Sequence, residues 1–124
     1  MKHLETFEAA AEFLGKDTFS VLSVLGALHE PEGKPLIALY KLSILSEASW
    51  KHEGIELNWK NRNQEKYYGW FDFSSGSASG FSYDDFGYVI SFSLVGSRLV
   101  FPTWQIAKYV GTTHLDLYRD LMLK

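Results

Sequence analysis

The chain has 124 residues, 46% of them apolar and 16% aromatic, with a formal charge of −3 and no cysteine. That length fits one domain with one core, and nine Phe, seven Tyr and four Trp carry more buriable surface than a disordered chain would. The charge gives no general attraction to phosphate backbones or anionic lipid, and the missing thiols exclude disulfide scaffolds, thiolate metal sites and cysteine nucleophiles.

In chain order, the stretch from Met1 to Glu8 carries Glu5 and Glu8 where a secretory peptide needs an uninterrupted apolar segment, so it reads as mature sequence of a cytoplasmic protein. Leu4, Phe7, Ala11 and Leu14 recur at helical spacing, Glu5, Glu8 and Glu12 face away, and Gly15 stands at a capping position. This predicts an amphipathic helix over 3–14. Thr18 to Leu25 fits a short helix or an irregular apolar connector, and periodicity does not decide between them. From Pro35 to about His52 the chain is apolar on nearly every side, which predicts a helix in the middle of the domain, ended by Gly54. The apolar stretches around 19–28 and 36–45 fall short of the roughly 18 to 20 residues that span a bilayer, and no membrane partner is expected.

Ile55 to Gln64 reads as a polar connection, Lys66 to Phe73 as a strand, and Ser74 to Gly80 as a loop. Asp84-Asp85 reads as a turn before Gly87. Tyr88, Ile90, Phe92 and Leu94 alternate with Val89, Ser91, Ser93 and Val95, the period of a strand. Gly96-Ser97 fits a type II′ turn into a return strand from Arg98 to Phe101, which sets Leu94 beside Leu99 and Phe92 beside Phe101. Pro102 to Val110 predicts a short helix closed by Gly111, and Thr113-His114-Leu115-Asp116 has the form of a capping box before a last helix with Leu117, Tyr118 and Leu121 inward. The expected fold is α+β in a single domain over 1–124: N-terminal helices, a small antiparallel sheet of about three to four strands, and two C-terminal helices packed on it.

No catalytic motif emerges. Ser77 and Ser79 lie near Gly76 and Gly80, but the spacing is wrong for a nucleophile elbow, and the same glycines lack the lysine of a phosphate-cradling loop. His3, His29, His52 and His114 share no ligand spacing. Asp84 and Asp85, with Asp72, are poor joint ligands because neighbours on a strand point to opposite faces. Glu47 lies between Ile44 and Trp50 in the central helix, where a lone carboxylate is costly to bury, and is expected to pair with Lys66 or Arg98. No catalytic residue, metal or cofactor is assigned; a small hydrolase would need a cleft that gathers Glu47, Asp72, Asp84 or His114.

The segment from Asn58 to Trp70 is the most unusual. Trp59, Lys60, Arg62, Lys66, Tyr67, Tyr68 and Trp70 combine cations with rings, interleaved with Asn58, Asn61, Asn63 and Gln64. Rings stack on bases or sugars and form binding hot spots, so these seven residues are the candidate partner-binding set. The opposing reading places the rings in the core and the amides on turns.

Asn58-Trp59, the run Asn63-Gln64-Glu65-Lys66-Tyr67-Tyr68-Gly69-Trp70-Phe71, Gly80-Phe81, Val95-Gly96-Ser97-Arg98-Leu99, Ala107-Lys108-Tyr109-Val110-Gly111 and Leu117-Tyr118-Arg119-Asp120 resemble a family of small proteins from phages and prophages of gut bacteria. The likeness runs from about Leu36 onward, with Gly69 where a proline is usual. The family has no established activity, cofactor or catalytic residue, so the resemblance implies only a phage or mobile-element accessory role. The expectation is a non-enzymatic module that binds another protein, of host or phage, or associates with itself through aromatics around 59–70 and 81–88. The alternatives are a single-stranded nucleic-acid binder, which the net charge does not favour, and a small hydrolase.

Overall fold

The structure, a computed structural model, describes residues 1–28, 32–61, 63–72, 82–89 and 99–123. The chain opens with a 3-10 turn (Lys2–Leu4) and helix α1 (Phe7–Leu14). The Thr6 side chain caps α1 by accepting from the Ala9 amide at 3.0 Å, and Gly15 ends it in the left-handed region at φ 69°, where a side chain would be strained. Helix α2 (Phe19–Gly26) follows, so the undecided stretch is helical. The Asp17 carboxylate starts it by accepting from the Phe19 amide at 3.0 Å.

Helix α3 (Gly33–Glu53) is the central element, packed by α1 and α2 and by the last helix. It begins two residues ahead of Pro35, which the first turn tolerates, and ends at Gly54, again at φ 69°. Its buried polar groups are hydrogen-bonded. Ser46 Oγ and Trp50 Nε1 both donate to the Val100 carbonyl, at 2.6 and 2.9 Å, and Ser49 Oγ donates to the Ser46 carbonyl at 2.6 Å. Hydrogen bonding of this kind is what makes such groups tolerable in a core.

Strands β1 (Lys66–Asp72) and β2 (Ser82–Val89) pair antiparallel, with Tyr67 opposite Tyr88, Tyr68 opposite Gly87 and Trp70 opposite Asp85. The register slips between Trp70 and Phe71, whose partner is Tyr83, so Asp84 is the extra residue of a β-bulge. Asp84-Asp85 is therefore strand and not turn: pairing with β1 overrides the local preference of Asp. On the other side of β1, Phe101 makes a single antiparallel bridge to Tyr67 through two bonds of 2.9 and 2.7 Å. Of the return strand expected over 98–101, the described residues show only this bridge. Two strands are present among the described residues where three to four were expected, and the expected turn at Gly96-Ser97, the loop from Ser74 to Gly80 and the pairings of Phe92 and Leu94 lie outside them.

Helix α4 (Trp104–Thr113) starts at Thr103, whose hydroxyl accepts from the Ile106 amide at 3.2 Å. It runs through Gly111, which does not close it: a methyl there would lie 2.5 Å from Tyr83 Cδ1, so the glycine is a notch for that ring. Helix α5 (Leu115–Met122) follows His114 with no side-chain cap. Thr113 is thus the last residue of α4, and the capping box does not form. His114 Nε2 instead meets the Leu4 carbonyl at 2.7 Å and ties the N-terminal turn to the corner between α4 and α5. Helix α4 packs on both strands, while α5 packs chiefly on α3 and reaches the sheet through Tyr118, whose ring lies on Phe71. The core gathers Leu4, Phe7, Leu42, Leu45, Phe101, Ile106, Val110 and Tyr118. The class is α+β, and among the described residues no helix is long and apolar enough to cross a membrane.

Candidate functional site

Side chains alternate across the hairpin. Tyr67, Phe71, Tyr83 and Phe86 take the inner face, toward α4. Phe86 stacks on Trp104 (5.4 Å, 17°) and Phe71 packs on Tyr118 (4.4 Å). Burial is the main reason that the Tyr83 and Tyr118 phenols lie above their ordinary range. Tyr88, at the end of this face, is 55% exposed.

Lys66, Tyr68 and Trp70 take the outer face, with different fates. Lys66 is wholly buried. Its Nζ donates to the Gln64 carbonyl at 2.9 Å and lies 5.0 Å above the Trp59 ring, and burial holds the ammonium below its usual range. Tyr68 is half-buried and Trp70 is 57% exposed. Their rings lie 6.5 Å apart, and both cross above Gly87, where a methyl would come within 2.5 Å of Trp70 Nε1 and 2.7 Å of Tyr68 Cζ. Gly87 is the clearance that lets the two rings lie over the partner strand. The exposed Asp85 stands directly opposite Trp70, and Asp84, the exposed residue of the bulge, precedes it.

The amides interleaved with the remaining candidates close the turn that leads into β1. Asn58 accepts from the Lys60 amide, Asn61 from the Asn63 amide and Gln64 from the Asn58 amide, each at 2.9 Å, so these side-chain oxygens are spent on their own backbone. Lys60 is exposed and Trp59 half-buried. The Tyr67 hydroxyl donates to the Glu65 carboxylate; that bond, and burial after it, raise the phenol's pKa. Arg62 lies outside the described residues. Of the seven candidates, the structure sets Tyr68 and Trp70 together on open surface, and it adds Gly87 and Asp85, which the sequence reading did not include. Their signal was the alternation around Gly87, readable only once the strand was known to run through Asp84-Asp85.

The residues considered for chemistry do not converge. Glu47 is half exposed and pairs with Lys16 at 2.7 Å rather than with Lys66, whose ammonium is taken by the Gln64 carbonyl, because α3 turns it toward the end of α1; Arg98 lies outside the described residues. It borders a cleft of about 530 Å³ with Trp50 and Trp59. His114 borders a different cleft, with Glu5 and Asp116. Asp72 and Asp84 lie on the sheet. Among the described residues no group of three or more His, Cys, Asp or Glu side chains is placed to hold a metal ion.

Two histidines do meet without any sequence spacing to announce it. His3 stacks on His52 (3.8 Å, 12°), and both rings lie near Phe13. Burial first, then the positive charges of His52 and the N-terminus, hold His3 below the ordinary value of 6.5, with Glu53 opposing weakly. A base depressed by folding binds its proton more readily when unfolded, so its contribution to stability is present above 6.5 and is lost as the pH falls through the folded value. The melting temperature is therefore expected to fall as the pH drops below about 6.5, and His3→Phe, which keeps a stacked ring, is expected to flatten that slope. Thermal melts of the two proteins between about pH 5 and pH 8 check this; parallel slopes would remove His3 as the cause. No known protein family, curated protein or solved structure matches the chain.

Proposed function

We propose that the chain is a non-enzymatic protein-binding module, of the accessory kind carried by phages and mobile elements, that acts in the host cytoplasm or the virion. The observation that carries the reading is Trp70, an indole 57% exposed in the middle of a strand, laid beside Tyr68 over Gly87 and opposite Asp85. A ring more than half in water spends only part of its surface on packing, and Trp and Tyr are the types that dominate binding energy at interfaces. A carboxylate next to an indole face suits a guanidinium, which stacks on the ring and pairs with the acid. The partner surface is accordingly an arginine-bearing segment of another protein.

The nucleic-acid alternative asks Lys60, Arg62 and Lys66 to meet phosphates. Lys66 is buried against Trp59, and exposed Asp85 stands opposite Trp70 with exposed Asp84 next to it in sequence, two charges that repel a polyanion. The test is selection of peptides from a random library on the immobilised protein, followed by affinity measurements on Trp70→Ala. Arginine-containing peptides are expected, with affinity reduced at least about tenfold by Trp70→Ala. Binding indifferent to Trp70, or salt-sensitive binding of a single-stranded oligonucleotide in its place, sinks the proposal.

A further inference from the structure

The cleft of about 530 Å³ that Glu47 borders is lined by the second half of α3, with Ser43, Glu47 and Trp50, and by the turn that leads into β1, with Glu56, Leu57 and Trp59. Its size falls within the roughly 300 to 1,000 Å³ of small-molecule sites. Both walls are fixed by hydrogen bonds that a ligand need not supply. On the turn, Gln64 Nε2 donates to the Glu56 carbonyl at 2.8 Å while Gln64 Oε1 accepts from the Asn58 amide at 2.9 Å, so one side chain clasps the residues on either side of Leu57. Trp59, next along the chain, rests its ring on the ammonium of the buried Lys66. On the helix, the Trp50 indole is 5% exposed and tied to the Val100 carbonyl. A cleft with both walls set in advance binds without the entropic cost of ordering them.

We propose that this cleft binds a neutral mono- or disaccharide, stacked on Trp59 and hydrogen-bonded to Lys16, Glu47 and Ser43. The class of ligand follows from the polar groups on the lining, which carry both signs. Lys16 and Glu47 pair at 2.7 Å with both side chains about half exposed; an ammonium has three protons to donate and a carboxylate two accepting oxygens, so the pair leaves capacity on each partner. Ser43 Oγ donates to the Tyr40 carbonyl at 2.7 Å and can still accept, and Glu56 is exposed. An anion would meet Glu47 and Glu56, and a cation would meet Lys16. A hydroxyl donates and accepts, so neighbouring hydroxyls on one molecule satisfy Glu47 and Lys16 together, and the C–H face of a pyranose packs on an indole. A nucleotide fits less well, because its base could stack but its phosphate would face two carboxylates.

The test is titration of the full chain with glucose, galactose, mannose and N-acetylglucosamine and with their β-linked disaccharides, followed by tryptophan fluorescence and amide chemical shifts. At least one sugar is expected to bind saturably in the millimolar range, where small ligands with few contacts lie, and to bind equally well in about 0.5 M salt, since the ligand carries no charge. Trp59→Ala and Glu47→Ala are each expected to raise the dissociation constant at least about tenfold, while Trp70→Ala leaves it unchanged. That last arm separates this cleft from the aromatic surface on the sheet. If Trp59→Ala unfolds the chain by uncovering Lys66, Glu47→Ala, a change on the surface, decides alone. Failure of every sugar in the panel to bind overturns the proposal, as does binding indifferent to both Trp59 and Glu47. Binding of free glutamate or lysine in place of sugar, weakened by salt and by Glu47→Ala, assigns the cleft to a zwitterion and overturns it as well.

Discussion

Replacing Gly111 with valine should cost about 3 kcal/mol of folding free energy, at the upper end of what overpacking usually does. Even Gly111→Ala should destabilise, although alanine is favoured over glycine by about 1 kcal/mol inside a helix. The reason is Tyr83. An added methyl at Gly111 would stand 2.5 Å from Cδ1 and 2.6 Å from Cε1 of that ring, and the ring cannot step aside freely, because Phe71 meets it edge-on at 5.7 Å and 88°. The strain falls on the seam between α4 and the sheet. Urea unfolding followed by tryptophan fluorescence should show the loss as a lower midpoint, and Tyr83→Leu in the Gly111→Ala background should return part of it. A double-mutant cycle then reports a coupling between two residues far apart in sequence. A neutral or stabilising Gly111→Ala would mean that the ring and the helix do not interlock.

The same glycine shows where sequence reading reaches its limit. Gly15, Gly54 and Gly111 all follow apolar helical stretches, and the first two do end their helices, at φ 69°. Nothing local separates a glycine that caps from one that admits a ring; the difference is Tyr83, supplied by another element. Asp84-Asp85 fails in a related way. Aspartate favours turns when it is free to choose, but β1 offers a continuous ladder, and a bulge absorbs the surplus residue. What was legible was what is encoded locally: the stripe of α1, the all-round apolarity of α3, and the aromatic strand from Lys66.

For the candidate site, composition singled out residues 58–70 but not how the structure divides them. Residues 58–70 supply three things at once: amides that close the turn, a lysine sealed under an indole, and two rings left on the surface. Alternation along β1 foretells that Lys66, Tyr68 and Trp70 share a face. It does not foretell that the cover over this face ends after Lys66, since that depends on where Trp59 lies. The stacking of His3 on His52 was equally hidden, because the N-terminal turn packs on α3 and brings together residues with no relation in sequence.

Phe101→Ala should be the other costly change, at about 3 to 5 kcal/mol. The ring is wholly buried, but burial alone does not fix the cost, which depends on how far the surroundings can close over the space left behind. Here they are held on two sides. The Phe101 backbone exchanges two hydrogen bonds with Tyr67 on β1, and the carbonyl one residue earlier accepts from both Ser46 and Trp50 on α3. The segment is pinned between the sheet and the central helix, so the vacated volume stays open. Equilibrium unfolding should therefore show a large loss for alanine, with a smaller one for Phe101→Leu, while amide exchange at Tyr67 and Phe101 stays slow relative to the lowered global stability. Loss of protection at those two amides ahead of global unfolding would mean that the ring holds the bridge; retention means that the bridge and the Val100 carbonyl hold the ring's site open, and that the junction of helix and sheet is built from the backbone outward.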